Sequence, residues 1–188
     1  MRKIFTLTTV ASGAAIGILL VGVLAIVAGI YTRDVVHDQL APQKIFFPPA
    51  GSPAMLPGIR QYAGQQLLTG QQAEAYADHF IAVHITDMAG GKTYSQLSAA
   101  ALAQPDNTQL AGQVATVFKG ETLRSMLLNA YGWWKVSQIA YIASLVAFGL
   151  GAVAGAGSIY LFVFGRRNRG DAPMPPAGHE TISPVTTA

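Results

Sequence analysis

From Val136 to Gly165 the chain runs thirty residues without a charged side chain. As a helix such a run reaches about 45 Å, against the roughly 30 Å hydrocarbon core of a bilayer. A membrane span is its ordinary setting. Composition agrees: 11% of the residues are charged and the mean hydropathy is +0.37, whereas soluble domains carry about 25% charged residues.

A second uncharged run, Ile4–Thr32, follows Arg2 and Lys3. A cleaved signal has an apolar core of about 7–15 residues and a small-x-small site. This run is longer, and Ile26 occupies the position three before the Ala28–Gly29 junction, so we read an uncleaved anchor. Basic residues set the orientation. Arg2 and Lys3 precede the first run, and Arg166, Arg167 and Arg169 follow the second. Between them seven Lys/Arg balance seven Asp/Glu. The positive-inside rule then puts both termini in the cytoplasm.

The expected fold is an all-α membrane protein with two antiparallel transmembrane helices and a small helical extracytoplasmic domain inserted between them. Residues 1–7 form a cytoplasmic N-terminus, 8–31 the first span, 32–135 the external domain, 136–165 the second span and 166–188 a disordered cytoplasmic tail. The expected localisation is the cytoplasmic membrane. Tyr31, Tyr131, Trp133, Trp134 and Tyr141 would mark the outer interface, where amphipathic rings collect. Small residues at four-residue spacing, Gly13 and Gly17 in one span and Gly151 and Gly155 in the other, would let helices approach closely.

In the external segment, RDVVHDQLAPQ extends the first helix until Pro42 ends it. A Pro-rich loop follows to Gly58, with Ile45, Phe46 and Phe47 as anchors to a core or to the lipid surface. Ile59–Leu68 reads as a short helix. Thr69 with Gln72 and Thr93 with Gln96 are capping boxes. The first opens a helix to about Met88, stopped by Gly90 and Gly91; the second opens one to about Ala103. Asp106 or Asn107 caps a helix to Lys119, and Gly120 allows a bend before the second span.

Histidines and carboxylates are the plausible reactive groups. At 100° per residue His79 and His84 lie roughly 140° apart, so the i, i+4 zinc pattern is absent. His79 falls on the polar side with Glu74 and Asp78 at its edge. His84 falls on the apolar side, where Asp87 or a backbone carbonyl would satisfy it. His84 and Asp87, with His37 and Asp38 from the first helix, are weak metal candidates; no metal or cofactor is expected. GGKTY lacks the spacing of a phosphate loop. Arg124 and Lys119 flank Glu121 as surface ion pairs. Neither span holds an ionisable residue, which argues against transport by this chain alone. Without cysteine there is no thiol nucleophile or disulfide, and a net charge of +3 gives no footprint for nucleic acid.

YTRDVVHDQLAPQKI, the segment AYADHFIAVHI…GGKTYSQL and FKGETLRSMLLNAYGWW together resemble a functionally uncharacterised actinobacterial family of small two-span membrane proteins. The resemblance covers most of residues 30–150. Some members bear the label aromatic ring-opening dioxygenase, but such enzymes need a histidine/carboxylate iron site that these residues do not supply. The resemblance implies an actinobacterial cell envelope and an anchored external helical domain.

The expected function is therefore a non-enzymatic accessory or scaffold protein of an envelope or membrane complex. Its partners would be the lipid bilayer and other membrane or envelope proteins, or further copies of itself. The alternatives are a metal- or ligand-binding envelope protein using His84 and His37, and a homo-oligomeric two-span channel.

Overall fold

The computed structural model describes the backbone of residues 2–170 and the side chains of 6 and 8–167. Two helices dominate. α1 (Arg2–Leu40) has 39 residues and α5 (Thr108–Gly170) has 63. Both contain segments long and apolar enough to cross a membrane. α5 runs through Arg166–Gly170, where the polar tail was expected to begin; the rest of that tail lies outside the described residues.

Three short helices lie between them: α2 (Gly70–Tyr76), α3 (Ala82–Met88) and α4 (Tyr94–Leu102). Thr69 and Thr93 each accept from the backbone N–H three residues on, and Gln72 and Gln96 reach back, completing both capping boxes. Asn107 Oδ1 accepts from the Leu110 N–H at 3.0 Å and caps α5. Gly90 and Gly91 stop α3 with φ of +60° and +76°, a conformation that costs glycine little.

α2 and α3 are joined by a π-helical turn, Ala77–Ile81, in which the Ala82 N–H donates to the Ala77 carbonyl. One extra residue in a turn rotates everything after it by about 100° relative to an α-helix. The consequence is visible in burial. Ala73, Ala77, Ile81, Ile85 and Ala89 are all buried, a four-residue recurrence that an unbroken α-helix would spiral out of the core.

Two expectations are corrected here. Residues 59–68 do not form one helix. A 3-10 helix at Pro57–Tyr62 is followed by a turn at Gly64, φ +69°, and the chain doubles back so that Phe47 and Leu67 N–H donate to Gln65 and Ile45 carbonyls at 2.9 and 2.8 Å. Nor does a helix end at Lys119, because α5 runs on through Gly120. A Cβ there would stand 2.7 Å from the Ile85 side chain, so the glycine serves close packing of α3 on α5.

The described chain divides into two compact units. In the larger, Leu20–Ala147, the core joins Val36 and Leu40 of α1 to Phe47, Ile59, Leu67 and the α2–α3 stripe, closed by Leu97, Val117 and Leu127. Of the three loop anchors, Phe47 is in this core, Ile45 half-buried and Phe46 exposed. In the smaller unit, which takes in the described residues up to Leu19 and from Phe148 onward, Gly151 lies against the Leu19 side chain and the Ala15 carbonyl.

Burial along the two long helices recurs every seven residues: Ala15, Gly22, Gly29 and Val36 on α1, Ser137, Ser144, Gly151 and Ser158 on α5. A 3.5-residue repeat keeps one seam of each helix turned toward a neighbour. This differs from the expected four-residue glycine stripe. Gly151 is at the seam, but a Cβ at Gly13, Gly17 or Gly155 would meet nothing within 4 Å. Two of the buried serines are satisfied locally: Ser144 Oγ donates to the Tyr141 carbonyl at 2.7 Å and Ser158 Oγ to that of Ala154 at 2.9 Å.

Candidate functional site

Arg33 is the first charged residue after the N-terminal apolar run, and Lys135 the last before the second run. The fold brings Arg33 onto α5. Its Nε donates to Ser137 Oγ at 3.0 Å, and its guanidinium lies over the Trp134 and Tyr141 rings, 4.8 and 4.5 Å from their centroids. Trp134, Ser137 and Tyr141 are spaced three and four residues apart and so share one helix face. Gly29, one turn before Arg33, approaches the Ser137 carbonyl and the Tyr141 ring to within 3.3 and 3.4 Å of an added Cβ. Each cation–π contact is worth ~0.5–1 kcal/mol when exposed and ~2 when desolvated.

This clasp divides the aromatics assigned to the outer interface. Tyr31 and Trp133 are exposed. Trp134 and Tyr141 hold Arg33, and Tyr131 lies under Lys135 Nζ at 5.3 Å. Trp134 also seats α2: a Cβ on Gly70 would fall 2.2 Å from Trp134 Cβ.

A cleft of about 310 Å³ lies beside the π-turn, lined by Gly58, Gln61, Tyr62, Gln71, Glu74, Asp78 and His79. Its floor is tight where the His79 ring covers Gly58, 2.5 Å from an added Cβ. Glu74 and Asp78, one turn apart, stand on the same wall. Asp78 is fixed from behind by Arg124 of α5, whose Nη2 donates to Asp78 Oδ1 at 2.8 Å; Glu121 lies 3.6 Å from Nη1. The hydrogen bond to Asp78 and the neighbouring carboxylates hold the Arg124 pKa above its ordinary value, against a smaller opposing effect of burial. Two carboxylates, an imidazole, a phenol and two amides suit a small polar or cationic group.

The weak metal candidates are dispersed into local pairs. His37 Nδ1 lies 3.3 Å from Asp38 Oδ1, both side chains at least half exposed. His84 is exposed, its ring 4.4 Å from that of Phe80 and its Nδ1 2.7 Å from the Phe80 carbonyl. Because a carbonyl only accepts, that contact needs the proton on Nδ1. Asp87 does not orient the ring. Among the described residues no three histidine or carboxylate side chains group so as to hold a metal ion.

Sequence reasoning missed both constellations. The Trp134–Ser137–Tyr141 spacing opposite a lone arginine at the end of the other run was the available signal for the clasp. Nothing local signalled that Arg124 pairs with Asp78, forty-six positions away. No family model matches the chain, and no curated protein or solved structure matches it either.

Proposed function

We propose that the chain is an integral membrane protein whose two spans present the helical unit of residues 32–135 outside the cytoplasmic membrane, as a non-enzymatic accessory or scaffold component. The observation that carries this reading is the shared construction of core and spans. Val36 and Leu40 of α1 and Val117 and Leu127 of α5 are core residues of the external unit, so the helices that enter the lipid also build what they display. Within the larger unit Arg33 meets Ser137 while Gly29 meets Tyr141. That order supports an antiparallel pair, and the flanking arginines support cytoplasmic termini. The resemblance to an actinobacterial two-span family adds a cell envelope as the setting.

Two measurements test this. The chain has no cysteine, so Ser95→Cys on exposed α4 and Ala177→Cys in the tail can be labelled singly in intact cells. Labelling of the first alone is expected, and the reverse pattern overturns the topology. Purification from the host in mild detergent, followed by quantitative mass spectrometry, should then recover a stoichiometric partner. Turnover of an envelope substrate by the purified protein would sink the scaffold reading.

The cleft beside His79 supports a second reading, a small-ligand-binding envelope protein. It replaces His84 and His37 as the place for a ligand, because those residues make only local contacts.

A further inference from the structure

A guanidinium carries five N–H donors in a rigid plane. Arg33 uses one of them, Nε, on Ser137. The four on Nη1 and Nη2 have no protein acceptor among the described residues, and no carboxylate pairs with Arg33, Asp34 beside it included. These nitrogens are also absent from the buried donors that lack a partner, which are Arg124 Nε and Trp134 Nε1, so they reach the surface. The two aromatic contacts and the Ser137 bond hold the fork in one orientation. Arg33 therefore offers an oriented, unneutralised fork at the junction where the first uncharged run ends and the second begins, with Lys135 next to Trp134 as a second cation.

An arginine fork of this kind matches the paired oxygens of a carboxylate or a phosphate bidentately, and no carboxylate of the described residues occupies it. At that junction the abundant phosphate is the diester of a phospholipid headgroup. We propose that Arg33, oriented by Ser137, Trp134 and Tyr141, binds the phosphate of an outer-leaflet phospholipid and so fixes the depth and rotation of the helix pair. This assignment rests on the membrane reading above.

The test uses the full-length protein in mild detergent with added phosphatidylglycerol, native mass spectrometry counting bound lipid. Wild-type protein should retain phospholipid. Arg33→Gln should weaken retention by about tenfold, the scale of a lost charge-assisted hydrogen bond. Arg33→Lys should fall between, because an ammonium is a point charge without the fork. Ser137→Ala, which leaves the charge and both rings in place, should weaken it about threefold. Far-UV circular dichroism accompanies each variant; where Arg33→Gln loses helix, the Lys and Ala variants decide. Equal retention by wild type and these variants overturns the proposal. So does displacement of the lipid by inorganic phosphate at matched concentration, which reassigns the fork to free phosphate. Carbonate-resistant association with vesicles is scored separately, so failure of the membrane reading is distinguished from failure of the lipid site.

Discussion

Asp78 on the π-turn accepts from Arg124 on α5 at 2.8 Å, with both side chains about one-third exposed. The pair links the one irregular turn of the α2–α3 segment to the long helix. Partly solvated pairs are worth little, about 0–1 kcal/mol. Here Arg124 Nε is also buried without an acceptor among the described residues, so removing Asp78 strands a partly desolvated cation. Asp78→Ala should destabilise by about 1 kcal/mol after discounting for exposure, and Asp78→Ala with Arg124→Ala by no more than either single change. Additive losses in denaturant unfolding would show that the two residues act apart.

Gly70 and Gly120 should respond to alanine in opposite ways. At Gly70 the new methyl would meet Trp134 Cβ at 2.2 Å, an atom that cannot move without its backbone. Overpacking of that kind costs about 1–3 kcal/mol. At Gly120 the obstacle is the outer part of the Ile85 side chain, and helix propensity returns about 1 kcal/mol. Gly70→Ala should shift tryptophan emission and lower the unfolding midpoint, while Gly120→Ala stays close to wild type. Equal midpoints would contradict the packing of α2 on Trp134.

Gly151→Leu should disrupt the helix pair, because its Cβ position already lies 2.6 Å from Leu19. Gly13→Leu should be tolerated, since that position is open. Thermal unfolding in detergent micelles would order the two. Destabilisation by Gly13→Leu alone would restore the four-residue stripe as the contact surface.

Burial raises the Tyr76 pKa above its ordinary 10.0. The neutral phenol is therefore favoured in the folded state. Its contribution is complete below the unfolded pKa and is lost as pH rises through the higher folded value. Tyr76 touches Phe47 and Phe80 rings at 5.3 and 4.6 Å, so ionisation would place a charge in an aromatic ladder. Stability should fall above about pH 10. Tyr76→Phe should flatten that decline, read as the pH dependence of unfolding; an unchanged decline would place its origin elsewhere.

How much of this was legible in the sequence follows from the range of each interaction. The capping boxes at Thr69 and Thr93 were readable because all their atoms lie within four residues. The long apolar runs were readable because composition alone defines them. His84 was misplaced by a helical wheel that presumed 3.6 residues per turn. On that wheel it lies about 20° from Ala73, and one inserted residue turns it some 100° away, out of the core. No propensity signals a π-turn; its effect is to keep Ile81, Ile85 and Ala89 in one core with Val117 and Leu127 of α5. The Arg33 clasp joins residues more than one hundred positions apart, where sequence spacing carries no distance information.

The domain between α1 and α5 is, in polymer terms, a closed loop rather than a tail. Val36 and Leu40 hold one end of its core and Val117 and Leu127 the other. Once the two helices pair, the entropy of bringing those ends together has already been spent. Each doubling of the loop then adds only about 0.6 kcal/mol. The insert is accordingly free to lengthen at its turns, around Gly51 or between Gln104 and Asn107, without loosening its base. Variation in this protein should concentrate at those turns, while the residues where α1 meets α5 at Arg33 and Ser137 stay fixed in number and spacing.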